Sequence, residues 1–176
     1  SNVYMTGYHA STTSTLIRNL DATGSTTALS LPAATGTFTG YVIKWSNVGT
    51  ATAFSYVPGV LTRGITTDPG SNVYTIGTSN NASTSTLRNL DATASSGTPV
   101  LPQAQGTQDA FVVKWSPNGT CAAFSNISWA TGLSITTDLG SNVYASGRYA
   151  SASAVTLYNI NPTSSASGLS LPATTI

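Results

Sequence analysis

Ser71-Asn72-Val73-Tyr74 is the middle copy of a phrase that occurs three times. Ser1-Asn2-Val3-Tyr4 precedes it and Ser141-Asn142-Val143-Tyr144 follows it, each 70 residues from the next. Laid over one another without a gap, residues 1–70 and 71–140 agree at 31 of 70 positions. Residues 141–176 match the first half of the same unit. A fixed period of this kind marks a tandem array, in which one supersecondary unit recurs and stacks on its neighbours. The chain therefore reads as repeat 1 (1–70), repeat 2 (71–140) and a partial repeat 3 (141–176), a segment of a longer propeller or of an open array.

Within the unit, short strand candidates alternate with turn residues. Gly132-Leu133-Ser134-Ile135-Thr136-Thr137-Asp138 largely alternates apolar and polar, the pattern of a half-buried strand. Leu139-Gly140-Ser141-Asn142 then reads as a tight turn, with Gly140 expected to supply a positive φ and Asp138 and Asn142 to bind the local backbone. Val143–Gly147 is its hairpin partner. Phe111–Trp115 is a third strand that places Phe111, Val113 and Trp115 on one face. Ser116-Pro117-Asn118-Gly119 is the next turn, and Ala122–Ile127 the fourth strand. Between the second and third strands, Ile17-Arg18-Asn19-Leu20-Asp21-Ala22-Thr23 matches Leu87-Arg88-Asn89-Leu90-Asp91-Ala92-Thr93, and Leu157–Thr163 keeps the outline. Leu31-Pro32 recurs as Leu101-Pro102 and Leu171-Pro172. This stretch predicts an extra β-hairpin whose tip is the run Gly24-Ser25-Thr26-Thr27. The fold class that follows is all-β: tandem four-stranded antiparallel, propeller-like blades of 70 residues, each with an inserted hairpin.

At this point the residues resemble a family. Asp109-Ala110-Phe111-Val112-Val113-Lys114-Trp115-Ser116-Pro117-Asn118-Gly119 is similar to the bacterial β-propeller repeat known as SBBP, as is Ile135–Gly147. That family's outline is Asp-Ala-Phe-Val-x-Lys, a Gly-containing turn, and Asp-x-x-Gly-Asn-Val-Tyr-Val-Thr-Gly. Here the turn is Asp-x-Gly-Ser-Asn and the inserted hairpin is longer. The resemblance implies a blade fold, found in secreted bacterial proteins and in large DNA viruses. It implies no catalytic residues, because the shared motif is structural.

Composition points the same way. Charged residues are 6% of the chain, against roughly 25% in ordinary domains. All five acids are Asp, and Ser and Thr together number 55 of 176. Such a surface is built from hydroxyls and amides, and a net charge of +1 provides no footprint for nucleic acid or anionic membrane. No apolar run has membrane-spanning length, so membrane insertion is not expected. Weak charge also removes like-charge protection against association, which favours self-association or contact with neighbouring blades.

Candidate reactive groups are few. His9, the one histidine, falls opposite Ser79 and Tyr149 and reads as an exposed loop residue rather than the base of a triad with Asp21. Cys121 reads as a small buried apolar residue on a strand, and a single cysteine forms no framework or multi-cysteine zinc site. Asp68 and Asp138, each followed by x-Gly-Ser-Asn, fit turn capping better than a calcium loop, which would need more oxygen ligands and a Glu. Asp21 and Asp91 are read as hairpin-register residues. Lys44 and Lys114 are expected to run along the blade face toward solvent or a carbonyl. Trp45, Trp115, Phe54 and Phe124 recur at the period and belong to the core, whereas Trp129 and Tyr56 are candidates for a surface contact. Asn81, Asn118 and Asn126 head glycosylation sequons. No catalytic, metal-binding or cofactor-binding residue is assigned, and no cofactor is expected.

The expectation is a non-enzymatic structural surface protein, a repeat subunit of an extracellular, cell-surface or virion-surface assembly such as a filament or coat. The alternative is an adhesin-like module binding a glycan or a surface protein, with contact at hairpin tips 22–28 and 92–98. Deleting one tip is expected to leave the blade folded.

Overall fold

The computed structural model describes residues 1–174; for Thr27 and Ala28 only the backbone course is described. The described residues form strands and turns, with no helix. In chain order the strands are β1 (Val3–His9), β2 (Thr15–Arg18), β3 (Thr26–Leu31), β4 (Thr39–Trp45) and β5 (Ala51–Pro58). Next come β6 (Val60–Thr67), β7 (Val73–Ser79), β8 (Ser85–Arg88), β9 (Ser96–Leu101), β10 (Asp109–Trp115) and β11 (Cys121–Ser128). The last four are β12 (Ala130–Thr137), β13 (Val143–Tyr149), β14 (Val155–Tyr158) and β15 (Ala166–Leu171).

All pairings are antiparallel. The full sheet has four strands in the order β6-β7-β10-β11, and so runs from Val60 to Ser128. It is flanked by a three-stranded sheet, β1-β4-β5, and a two-stranded one, β12-β13. Each second strand is followed by an inserted hairpin, β2-β3, β8-β9 or β14-β15. The chain leaves one sheet for the next at a single residue, Gly59 or Trp129, in the left-handed region at φ 69° and 58°.

Alternation along the strands builds the core between successive sheets. Phe111, Val113 and Trp115 share a face and join Val42, Ala53 and Val57 of the preceding sheet in one cluster. The next residue over, Val112, points the other way and packs with Tyr74 and Ile76 against Ile135 of β12. Thr137 Oγ1 donates to the Thr67 carbonyl at 2.8 Å, tying the first strands of adjacent sheets.

The turns depart from expectation in two places. The positive φ of the Asp-x-Gly-Ser-Asn turn falls on Ser71 and Ser141, both at 63°, not on the glycine. Gly140 sits in a tight place instead: a Cβ there would lie 3.3 Å from both Asp138 Oδ1 and Asn142 Nδ2. The inserted hairpin turns at residues 20–25, and Thr26 and Thr27 already belong to β3. Gly119 behaves as expected, with φ 87° and a register shift at Lys114/Trp115, the bulge that accompanies such a turn.

Candidate functional site

The densest polar chemistry lies where each hairpin meets the sheets. In the hairpin β8-β9, Asp91 organises the tip: its Oδ1 accepts from Thr93 N at 2.8 Å, Thr93 Oγ1 at 2.9 Å and Ser95 N at 3.1 Å. Ser95 Oγ donates to its other oxygen. Burial pushes the Asp91 carboxyl up, but these donors outweigh it and hold it below the usual carboxylate range. Asp21 repeats the arrangement in the first hairpin, and the Ser25 hydroxyl and amide lead the donors that depress it. Arg18 does not pair with Asp21; its Nη1 donates to the Gly24 carbonyl at 2.9 Å.

Two side chains bind each of the first two hairpins to its own sheet. Trp115 Nε1 donates to the Arg88 carbonyl at 2.8 Å, as Trp45 Nε1 does to the Arg18 carbonyl at 2.8 Å. Asn89 Oδ1 accepts from Cys121 N at 2.8 Å, and Asn19 Oδ1 from Ala51 N at 3.0 Å. The same hairpin is also held by the sheet before it. Ser55 Oγ donates to the Arg88 carbonyl at 3.0 Å, Phe54 N donates to the Asp91 carbonyl at 3.0 Å, and Arg88 lies 4.5 Å from the Tyr56 ring centroid. One unit later, Ser125 Oγ donates to the Tyr158 carbonyl at 2.7 Å and Phe124 N to the Asn161 carbonyl at 3.1 Å. The hairpin is thus joined to the preceding sheet through Leu90, Asp91 and Ala94, while Ala92, Thr93, Ser95, Ser96 and Thr98 of the tip remain exposed. Ala94 is fully buried against Ile43, Trp45 and Phe54. Leu90 is 4% exposed, whereas Leu20, its equivalent in the first hairpin, is 53% exposed.

The Asp-x-Gly-Ser-Asn turn is a capping site. Asp68 Oδ1 accepts from Asn72 N at 2.9 Å, while Oδ2 accepts from Asn72 Nδ2 at 2.8 Å and Tyr74 Oη at 3.1 Å. Burial opposes the charged form, and these donors with the Lys114 ammonium override it and lower the Asp68 value. Burial, and then the bond to Asp68, push the Tyr74 phenol up to about 12. Lys114 Nζ completes the group 5.5 Å from the Tyr74 ring centroid. Asp138, Asn142 and Tyr144 repeat it, and there Tyr144 is 56% exposed.

Asp109, buried, is a third hub. Its carboxylate accepts from Gln105 N at 2.9 Å, Gly106 N at 3.2 Å and Trp129 N at 3.1 Å, fastening the loop before β10 to the turn after β11. That explains structurally why an Asp opens the Asp-Ala-Phe-Val strand and how a tryptophan is held in the left-handed region.

His9 is not in a loop: it ends β1 opposite Thr39, with both ring nitrogens buried and its ring 6.2 Å from that of Tyr41. Strand pairing draws it inward, which a repeat-variable position did not signal. Cys121 is 1% exposed at the start of β11, and burial pushes its thiol up to about 12. Trp45, Trp115, Phe54 and Phe124 are all buried. Trp129 is 44% exposed; Tyr56 is half-buried and stacks on Phe54 at 6.3 Å. Among the sequons, Asn118 is exposed, Asn126 is buried and accepts from Ser164 Oγ at 3.1 Å, and Asn81 Nδ2 donates to the Pro58 carbonyl at 2.8 Å and to Ser85 Oγ at 2.7 Å. Among the described residues, no three His, Cys, Asp or Glu side chains come together to hold a metal ion.

Two grooves open beside β13. One of about 270 Å³ is mostly apolar and lies between Phe111, Ile127 and the β13 residues Ala145 and Gly147. The other, of about 320 Å³, is bordered by Trp129, Gln108, Arg148 and Tyr149. No protein-family model matches the chain, and no curated protein matches its sequence.

Proposed function

We propose that this protein is a non-enzymatic structural repeat protein of propeller-like blades, similar to SBBP repeats, that serves at a cell or virion surface as part of a filament or coat. The observation that carries this reading is the joint just described. The same hydrogen bonds recur one period apart, and the hairpin β8-β9 is gripped both by its own sheet and by the one before. Chemistry is spent on fastening unit to unit: four aspartates are occupied by turn and tip donors, and the fifth, Asp109, by backbone amides. Units that stack this way extend without a new kind of contact. Electron microscopy of the native material at modest concentration tests it. Regular rings, filaments or sheets support the reading; dispersed single particles, or robust turnover of a substrate, overturn it.

A second reading, binding of a glycan or a surface protein, is favoured by the groove at Trp129. An exposed indole held in a fixed turn, next to Tyr149 with Arg148 and Gln108 at its rim, offers a stacking face with polar groups around it. Trp45 and Trp115 are buried, so a ligand there would shift the emission of Trp129 alone. A glycan array with no saturable binder removes this second reading as a glycan site.

A further inference from the structure

We propose that Asn118, and neither of the other two sequon asparagines, carries an N-linked sugar on its side-chain nitrogen in the folded protein. The donor is a sugar activated as a phosphate or diphosphate ester, delivered by a transferase. The modification rests on the surface location proposed above, which brings an exported chain to such a donor. In the transfer Nδ2 attacks the anomeric carbon of the sugar. The nitrogen–carbon bond forms as the bond from that carbon to the phosphate oxygen breaks, and one Nδ2 proton passes to a base of the transferase. Nothing is oxidised or reduced.

The tertiary structure separates three sites that look alike in sequence: Asn81-Ala82-Ser83, Asn118-Gly119-Thr120 and Asn126-Ile127-Ser128. Asn81 spends both Nδ2 protons, on the Pro58 carbonyl at 2.8 Å and on Ser85 Oγ at 2.7 Å. Its amide is packed so closely on Gly59 that a Cβ there would overlap it, which leaves no room for a substituent. Asn126 lies within β11 opposite Phe111, is 8% exposed, and accepts on Oδ1 from Ser164 Oγ of the third hairpin at 3.1 Å. A sugar on either amide would push these contacts apart, so the fold admits neither, whether transfer comes before folding or after.

Asn118 differs in each respect. It stands in the turn between β10 and β11, and both it and Thr120 are exposed. Its Oδ1 accepts from Ser116 Oγ and from Thr120 N at 3.1 Å, an Asx turn that fixes the carboxamide. Its Nδ2 makes no hydrogen bond among the described residues. The inner side of the turn is held by the hairpin β8-β9: Leu90 N donates to the Gly119 carbonyl at 2.7 Å, and a Cβ on Gly119 would lie 2.2 Å from the Leu90 carbonyl oxygen. The outer side is left for the sugar. This opening does not depend on a missing neighbour. Asn118 is exposed with the whole of residues 1–70 packed before it. Val48, its equivalent one period earlier, is 78% exposed with the whole of residues 71–140 after it. The corner therefore stays clear in a longer array, and a sugar there leaves the joints between units intact.

The test is glycopeptide mass spectrometry of the full chain isolated from its source. Trypsin cleaves after Arg63, Arg88, Lys114 and Arg148, so Asn81 is carried on peptide 64–88, and Asn118 and Asn126 share peptide 115–148. Electron-transfer fragmentation then assigns the modified residue. The expected result is a sugar mass on Asn118, with Asn81 and Asn126 bare. Two variants made in the same source sharpen it. Asn118→Asp keeps the Oδ1 acceptor of the turn and removes Nδ2, whereas Thr120→Ala keeps the backbone amide that bonds Asn118 and removes the hydroxyl of the sequon. Both should lose the sugar completely and keep the circular dichroism of the folded chain. A sugar on Asn81 or Asn126, a bare Asn118, an Asn118 converted to aspartate without a sugar, or a sugar retained in Thr120→Ala overturns the proposal. If regular assemblies appear by microscopy while Asn118 is bare, the modification falls and the structural reading stands. If Asn118 carries the sugar but native material stays dispersed, the assembly reading falls and the modification stands.

Discussion

Replacing Asn89 by alanine tests whether hairpin and sheet are joined as described, and the protein carries its own control. Asn89 Oδ1 accepts the amide of Cys121 at 2.8 Å, and that amide begins a strand whose side chain is 1% exposed. Truncation leaves the donor without a partner where water has little access, a loss of about 1–3 kcal/mol. The second bond lost, Asn89 Nδ2 to Ser95 Oγ at 3.0 Å, lies in the exposed tip and adds little. A total near 2 kcal/mol corresponds to a fall of about 4–8 °C in Tm for a chain of this size. Asn159 occupies the same place in the third hairpin, but its side chain is exposed and is bonded to no strand amide among the described residues. Asn159→Ala should therefore change stability by no more than about 0.5 kcal/mol. Both substitutions remove an asparagine from the same position of the hairpin, one bonded to a strand amide and one exposed. Urea unfolding followed by far-UV circular dichroism, with the slopes compared to establish that only the midpoint moves, gives the difference. Equal shifts for Asn89→Ala and Asn159→Ala would refute the joint.

Four further outcomes follow from the same structure. Phe111→Ala removes the ring that fills the space beside Gly77 and should cost about 3–5 kcal/mol in chemical unfolding, so a cost below 1 kcal/mol would contradict its place in the core. Asp21, Asp68, Asp91 and Asp138 are all held below their ordinary value of 3.8 in the fold. Their contribution is complete above the unfolded value and is lost as the pH falls through the lower folded ones, so a Tm that is level from pH 5 to 7 and drops below about pH 4 is expected in a calorimetric pH series. Cys121 and Tyr74 run the other way: their stabilising effect is complete below the unfolded values of 9.0 and 10.0 and drains as the pH rises toward about 12. In line with its burial, the Cys121 thiol should react with a chromogenic disulfide only on unfolding; rapid reaction in the native protein would place β11 wrongly.

The period of 70 residues, the turns and the alternation of Phe111, Val113 and Trp115 were legible because they are written within a few residues of one another. Side chains of a strand alternate by geometry, and Gly, Asn and Asp mark turns by their own backbone preferences, so neither needs a neighbour to be read. The inserted hairpins were legible too, though their tips were placed a few residues late. Other features lay beyond local reading. The tip at Asp91 and Ala94 reads as an exposed polar loop until the preceding sheet is set against it, and the contact from Phe54 crosses 37 residues of chain. His9 looked variable because its equivalents differ, yet strand pairing with Thr39 buries its ring nitrogens. The left-handed serines 71 and 141 were missed because the aspartate carboxylate, by collecting the amides of the turn, decides which residue takes the strained position. The strands were decided by the sequence alone, through short-range sterics and the period-two pattern. The joints were decided only in the tertiary structure, because a hydrogen bond between units depends on how whole sheets stack.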